Sequence, residues 1–315
     1  MNRSETFAQI SRCRRIGSTM AQKMHDDQID SDAALVRSLL GAQFPQWSNL
    51  SIEEVRSTGT DNALFRLGGE MVIRMPLRPS ATASIEKERL WLPQMAHQLP
   101  VEIPVQIARG DPTEEFPWPW SVVRWIDGEV AATATFSDRQ SAIDIARFVA
   151  ALHSIDPTGG PEPDADSGRG VPLGNRSQTT RWAIDALGTA IDIEAALTRW
   201  EEALEAPVWD KPAVWVHGDV ASGNILFRDG HLAAVIDWGC LGVGDPACDL
   251  IVAWEMFDAD SRDAFRSELG VDGDTWERGR GWALSTAVAE LSYYRDTNQF
   301  MADRARRQLA AVLGG

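Results

Sequence analysis

Residues 214–249 read VWVHGDVASGNILFRDGHLAAVIDWGCLGVGDPACD, and this stretch decides the architecture. Val214 to His217 has the β-branched and aromatic make-up of a short strand, which delivers Gly218 and Asp219 at its end. Asn224 opens a second strand, Ile225 to Phe227; an Asp229-Gly230 turn leads to a third, Ala233 to Ile236, ending at Asp237. Three oxygen-bearing side chains, Asp219, Asn224 and Asp237, are therefore expected at neighbouring loop ends. Phosphoryl transfer calls for such a set: one carboxylate to orient an attacking hydroxyl and accept its proton, and an amide and a carboxylate to hold Mg²⁺ against phosphates. Magnesium takes hard oxygen ligands, so Asn and Asp suit it where Cys and His would not.

Upstream, the pattern is that of a small sheet with a helix. Ser31 to Leu40 predicts a helix capped by Ser31, with Leu35, Val36, Leu39 and Leu40 in one stripe. Ile52 to Arg56, Ala63 to Leu67 and Met71 to Met75 predict strands separated by Gly59 and by Gly68-Gly69. Thr82 to Gln98 predicts a helix that Pro93 should kink or divide, with Ile85, Leu92, Met95 and Ala96 on one face. Val101 to Ala108 and Ser121 to Trp125 complete an expected five-stranded antiparallel sheet.

Downstream, the second half is mainly helical. Ser137 to Ser154 predicts a helix capped by Ser137, with Ile143, Ala146, Phe148, Val149 and Leu152 apolar, and places His153 at its end as a capping or core histidine. Asp156 to Gly174 is rich in Pro, Gly and Asp and predicts a loop or lid. Thr180 to Leu204 predicts a helix carrying Trp182 and Trp200, and everything beyond Pro246 predicts helices. Asp245 before Pro246 has the form of a helix N-cap.

The stretch His217-Gly218-Asp219 followed by Asn224, together with Ile236-Asp237-Trp238-Gly239, resembles the aminoglycoside phosphotransferase family, small-molecule kinases that include choline, macrolide and homoserine kinases. Beyond a leader over residues 1–23 that its composition predicts to be disordered, the resemblance implies an α+β, bilobal, protein-kinase-like fold: a nucleotide-binding lobe over 24–127 and a helical lobe over 128–315 holding the catalytic loop and acceptor site. It implies that Asp219 is the catalytic base, that Asn224 and Asp237 bind Mg²⁺, and that His217 braces the loop. It places Thr58, Gly59 and Thr60 in a nucleotide loop whose backbone N–H groups approach the phosphates. It puts Arg74 where protein kinases present a lysine to the α and β phosphates, a planar fork in place of a point charge. The partner of that cation is Glu88 or, failing that, Glu86. Arg124 and Ile126 would supply hinge backbone groups to the base of ATP or GTP, a choice that backbone recognition leaves unread. Asp249 would brace the catalytic loop. Trp238 stands where protein kinases carry the Phe of their DFG motif, and no activation loop or APE segment is present in the sequence.

Composition narrows the partners. The 46 acidic and 30 basic residues give a net charge of −16, which argues against nucleic acid or an anionic membrane surface and would suit a cationic small substrate. Lys23, Lys87 and Lys211 are the only lysines, so basic work falls to arginine. Three cysteines, Cys13, Cys240 and Cys248, without CxxC spacing predict neither a disulfide framework nor a zinc site and fit a reducing cytoplasm. No run of 18 apolar residues exists, and residues 1–23 carry Arg3, Arg12, Arg14 and Arg15 without an apolar core of a signal peptide; Met20 and Met24 are alternative starts. The resulting expectation is a kinase moving the γ-phosphoryl group of ATP or GTP to a hydroxyl of a small molecule such as an aminoglycoside. The alternatives are a choline- or homoserine-type metabolite kinase, and a nucleotide-binding protein on this fold that transfers nothing.

Overall fold

The computed structural model describes residues 31–55, 61–131, 138–163 and 168–314. The expected leader with Cys13 and Met20, the alternative start Met24, the loop residues Ser57, Thr58, Gly59 and Thr60, and the expected cap Ser137 lie outside these residues.

The first half builds a five-stranded antiparallel sheet in the order β1-β2-β3-β5-β4. Its strands are β1 (Ile52–Val55), β2 (Asn62–Leu67), β3 (Met71–Pro76), β4 (Gln106–Gly110) and β5 (Trp120–Arg124). Helix α1 (Ala33–Gln43) covers one face, burying Val36, Leu39 and Leu40 with Phe65, Leu67, Ile73, Met75, Trp120 and Val122. Asp32, not Ser31, caps α1: its Oδ1 accepts the N–H groups of Ala34 and Leu35 at 2.9 and 2.8 Å, and a carboxylate also favours the positive end of the helix dipole.

Helix α2 (Thr82–Met95) runs through Pro93 without dividing. The proline sits in the last turn, where only a terminal bond is forfeited and the helix ends two residues later. Strand β4 begins at Gln106 instead of Val101. Pro104 has no N–H to give a ladder, and Glu102 pairs elsewhere, accepting from Val235 N–H at 3.1 Å and donating to the Ala233 carbonyl at 3.0 Å.

The second half is helical around two small sheets. Strand β6 (Glu129–Val130), which the sequence did not suggest, leads through residues 138–163 and their helix α3 (Arg139–Ser154) to α4 (Ser177–Leu187) and α5 (Ile193–Glu205). Asp138 caps α3, accepting Gln140 N–H at 2.9 Å, and Ile145 rather than Ile143 joins Ala146, Phe148, Val149 and Leu152 in the core. The expected single helix from Thr180 is two, because Gly188 takes φ 52°, a conformation an L side chain resists and a helix cannot continue through. Trp200 is buried, whereas Trp182 is 66% exposed.

Next come β7 (Val214–Val216), β8 (Ile225–Arg228), β9 (His231–Val235) and β10 (Gly242–Gly244). The sheet β6-β8-β9 and the pair β7-β10 are antiparallel, and β10 was also unforeseen, being three residues with two glycines and no strand signature. Helices α6 (Val252–Glu255), α7 (Ala259–Leu269), α8 (Gly273–Tyr294) and α9 (Gln299–Leu313) finish the fold. The middle of α8, from Thr275 to Val288, is buried apart from Glu277, because the helix packs against α4, α5 and α9. The core of this half also takes Leu92, Met95, Leu99 and Ile103 from the first half, so α2 contributes to both sides.

Candidate active site

Strand β7 ends in a loop that a single carboxylate organises. Asp249, fully buried, accepts the backbone N–H of His217 at 3.1 Å and of Gly218 at 2.6 Å, and its Oδ2 lies 3.0 Å from Nε2 of His153. His153 thus belongs to this support and not to the reacting centre. Gly218 has φ 79°, and a Cβ there would come within 2.8 Å of Arg169 Cβ and 2.9 Å of Cys240 Cβ, so both conformation and space require glycine.

His217 is fully buried and neutral: burial pulls its pKa down despite Asp249 and Asp219 nearby. Its Nδ1 accepts the Asp219 N–H at 3.2 Å, which fixes the proton on Nε2, and Nε2 donates to the Ile236 carbonyl at 3.2 Å. The ring lies 4.6 Å from that of the buried Trp238. Nδ1 therefore braces the loop from within, and Nε2 ties it to the residue that precedes Asp237.

Asp219 and Asn224 meet directly. Nδ2 of Asn224 donates to Oδ2 of Asp219 at 2.8 Å and to its carbonyl at 2.9 Å. The Asp219 side chain is 39% exposed, with Oδ1 3.8 Å from Arg169 Nη2. Asp237, at φ 61° in a left-handed conformation that Asp tolerates better than most residues, is open to solvent on one side. The protein around it, with Asp219, Glu88 and Asp61 and against the opposing charge of Arg74, pushes its carboxyl up to about 6.

From the sheet, Arg74 on β3 forms a two-bond pair with Glu88 of α2, one arm through Nη1 and Oε2 and the other from Nη2 to Oε1 at 3.1 Å. Both groups are buried. Glu86 instead pairs with Arg89 and Arg109, so Glu88 is the partner. Lys87, between the two, donates to the Gly239 carbonyl at 2.8 Å and ties α2 to the turn after Asp237. Ile126 is 9% exposed and packs with Leu226 and Ala234, while Arg124 pairs with Met71 across β3 and β5 and points outward. Of the expected nucleotide loop, Asp61 is described, and its Oδ1 accepts Arg78 Nε at 3.1 Å.

The residues fit a divalent ion. Asn224 commits its nitrogen to Asp219, which leaves Oδ1 as its oxygen donor, and Asp237 adds a carboxylate whose negative charge its surroundings disfavour. A cation there would relieve that charge. One amide and one carboxylate suit magnesium, which keeps several waters and completes its shell with phosphate oxygens. Among the described residues no group of three or more His, Cys, Asp or Glu side chains is arranged as a metal cluster.

Three residues that sequence reasoning passed over complete the site. Glu255 of α6, 2% exposed, accepts Ser222 N–H at 2.9 Å and the Ser222 hydroxyl, fixing the loop between Asp219 and Asn224. Arg304 of α9 stands 3.9 Å from Glu255 and 2.7 Å from Glu290. Arg169 approaches Asp219 from a segment whose composition signalled only a loop. No local pattern announces any of them, because each acts on a partner distant in the chain.

The model of the phosphotransferase enzyme family matches residues 52–282. No match was found among curated protein sequences. Among solved structures, the GDP complex of wild-type aminoglycoside 2'-phosphotransferase-IIIa superposes with a TM-score of 0.70 at 19% identity, covering 90% of this chain and 99% of that one. The GDP and kanamycin complex of APH(2")-IIia gives 0.70 at 19%, over 88% and 97%. The macrolide 2'-phosphotransferase MphH apoenzyme from Brachybacterium faecium gives 0.60 at 19%, over 87% and 96%. At these identities the likeness to solved structures establishes the two-part, kinase-like fold.

Proposed function

The chain belongs to the phosphotransferase enzyme family, and on that premise we propose that it moves the γ-phosphoryl group of ATP or GTP, with Mg²⁺, to a hydroxyl of a small molecule. The observation that carries this reading is the direct bond between Asn224 Nδ2 and Asp219 Oδ2, which fixes a solvent-reachable carboxylate beside an amide oxygen donor at the end of β7. Asp219 orients the acceptor hydroxyl and takes its proton as the oxygen attacks phosphorus and the bond to the departing diphosphate breaks. Asn224 Oδ1 and Asp237 would hold the metal, which when bound offsets charge on the phosphates. Arg74, aimed by Glu88, binds the α and β phosphates; Thr58, Gly59 and Thr60 contribute to that phosphate site, and the segment Arg124 to Ile126 reads the base. His217 holds the loop.

We divide the chain functionally into a leader (1–23), a nucleotide lobe (24–127) and a helical lobe carrying the acceptor site (128–315). Cys240 and Cys248 are free thiols, which supports a place in the reducing cytoplasm, and among the described residues no helix is long and apolar enough to cross a membrane. The net charge of −16 supports a small-molecule partner over nucleic acid.

The antibiotics bound by the solved relatives supply the first acceptors to try. The test is nucleoside-diphosphate release with ATP or GTP and Mg²⁺ against aminoglycosides, macrolides and metabolite alcohols, with Asp219→Ala beside the wild type. Acceptor-dependent release abolished by Asp219→Ala is expected. Nucleotide binding without transfer to any acceptor would favour the binding-only alternative.

A further inference from the structure

Asp127, just past the last strand of the sheet, is held from both halves of the molecule at once. On the sheet side its Oδ1 accepts the Trp125 indole N–H at 2.8 Å and lies 3.9 Å from Arg66 Nη2, and the Arg66 guanidinium stands 3.8 Å over the centre of the Trp125 ring. On the helical side its backbone carbonyl accepts two bonds from Arg228 at the end of β8, from Nη2 at 2.7 Å and from Nε at 3.2 Å. The remaining arm of that guanidinium, Nη1, donates to Glu102 Oε1 at 3.0 Å.

Glu102 is itself anchored, its backbone bonded to Ala233 and Val235 of β9, so the linker between α2 and β4 is stitched to the helical half. Arg228 thus joins two crossings, the covalent one at Asp127 and the hydrogen-bonded one at Glu102. The chain after Asp127 is equally confined. A Cβ on Gly128 would stand 2.9 Å from Leu226 Cβ and 3.1 Å from the Phe227 carbonyl oxygen, and Glu129 and Val130 then pair with β8.

Between these anchors lies Ile126. The Trp125 N–H is taken by the Glu70 carbonyl at 2.8 Å and the Asp127 carbonyl by Arg228, while Ile126 keeps its own N–H and carbonyl without a hydrogen-bonded partner among the described residues. Ile126 is only 9% exposed, and unpaired backbone groups so enclosed call for a ligand edge that offers both an acceptor and a donor. Arg228 is 43% exposed, so its ion pair with Glu102 is worth little by itself. Its effect is on direction. With its side chain held by Trp125 and its carbonyl by Arg228, Asp127 is restrained from turning about its own backbone bonds, and the peptide it shares with Ile126 keeps one orientation.

We propose that Arg228 is a positioning residue for the nucleotide base: by holding the Asp127 carbonyl while braced on Glu102, it sets the direction in which the Ile126 backbone meets the base. This rests on the phosphotransfer reading above, which places the base at Arg124 to Ile126, and adds to it a side chain from β8 that touches no ligand.

The test is calorimetric titration of the full chain with MgADP, MgGDP and magnesium tripolyphosphate, the last a phosphate chain without a base, for wild type, Arg228→Met and Arg228→Lys. Arg228→Met should weaken binding of the preferred nucleoside diphosphate roughly threefold to tenfold, less than the loss of a direct bond to a charged group because the effect passes through the backbone. Tripolyphosphate, which meets Arg74 but not the Ile126 backbone, should bind both proteins alike, and Arg228→Lys should regain part of the loss. Glu102→Gln leaves both carbonyl bonds in place and should fall between wild type and Arg228→Met. Undiminished nucleotide affinity in Arg228→Met overturns the proposal, and so does an equal loss for tripolyphosphate, which would make Arg228 a general brace of the fold. Failure of the wild type to bind either nucleotide would instead reject the phosphotransfer reading, and the role of Arg228 with it.

Discussion

Asp249 Oδ1 accepts the backbone N–H of Gly218 at 2.6 Å, with the His217 N–H on its other oxygen at 3.1 Å, so one buried carboxylate sets the direction in which Asp219 leaves the strand. Replacing it with Asn keeps the shape but turns an amide toward two N–H groups and His153. Asp249→Asn should lose about 1–3 kcal/mol of stability through unsatisfied buried donors and lower kcat more than it raises nucleotide KM. Urea unfolding with steady-state kinetics checks both. An unchanged kcat would show that the loop holds its shape without this support.

Arg74 and Glu88 are both buried, and removing one strands the other. Glu88→Ala should cost roughly 3–5 kcal/mol, the penalty of an uncompensated buried charge. Arg74→Lys retains the charge but forfeits the fork, and should fold while raising KM for ATP about tenfold, by the loss of roughly one charge-assisted bond. Denaturation midpoints and nucleotide titration distinguish the two outcomes.

Glu255 should act on rate through Ser222. Glu255→Ala removes the acceptor of the Ser222 N–H and hydroxyl and leaves Arg304 to Glu290 alone. A fall in kcat of roughly tenfold or more with nearly constant nucleotide KM is expected, because misplacement of a reacting group is felt mainly in the transition state. Parallel changes in both constants would mark Glu255 as a purely structural residue.

Asp272 gives a pH prediction far from the chemistry. It caps α8, accepting Thr275 N–H at 2.7 Å, and pairs with Lys211 at 2.7 Å; the Lys211 contact and then the Thr275 bonds hold its carboxyl well below the ordinary range. A depressed folded-state pKa stabilises the protein above the ordinary value of about 3.9, and that contribution is lost as pH falls below it. Asp272→Asn keeps a capping oxygen but loses the charge facing Lys211 and the helix dipole, and should therefore cost only about 0.5 kcal/mol near neutrality, with the gap from wild type narrowing between about pH 5 and pH 3. Urea midpoints across that range decide it, and a gap independent of pH would refute the assignment.

The cluster proposed as the reacting centre could be located from sequence because its candidates are compressed into a short run: His217, Asp219, Asn224 and Asp237 lie at consecutive strand ends. Arg74 and its favoured partner Glu88 were readable from element order and the helix pattern, and the fold removes the backup, Glu86, by pairing it with Arg89 and Arg109. What stayed hidden depends on long-range packing. Glu255 reaches Ser222, Lys87 reaches Gly239, and Arg169 reaches Asp219, all across turns whose residues advertise nothing. The sheet pieces β6 and β10 escaped for a related reason: two or three residues hold no period, and only their partners β8 and β7 make them strands. Boundaries slipped where a better local group competed, as with Asp32 over Ser31 and the break at Gly188.

Helix α2 holds Arg74 through Glu88 and the turn after Asp237 through Lys87, while Leu92 and Met95 at its far end are embedded in the core of the helical half. The sheet therefore does not ride on the rest of the molecule as a separate cap. Any motion of the sheet against the helical half has to carry or bend this shared post, and the Arg74–Glu88 pair moves only as far as the post permits.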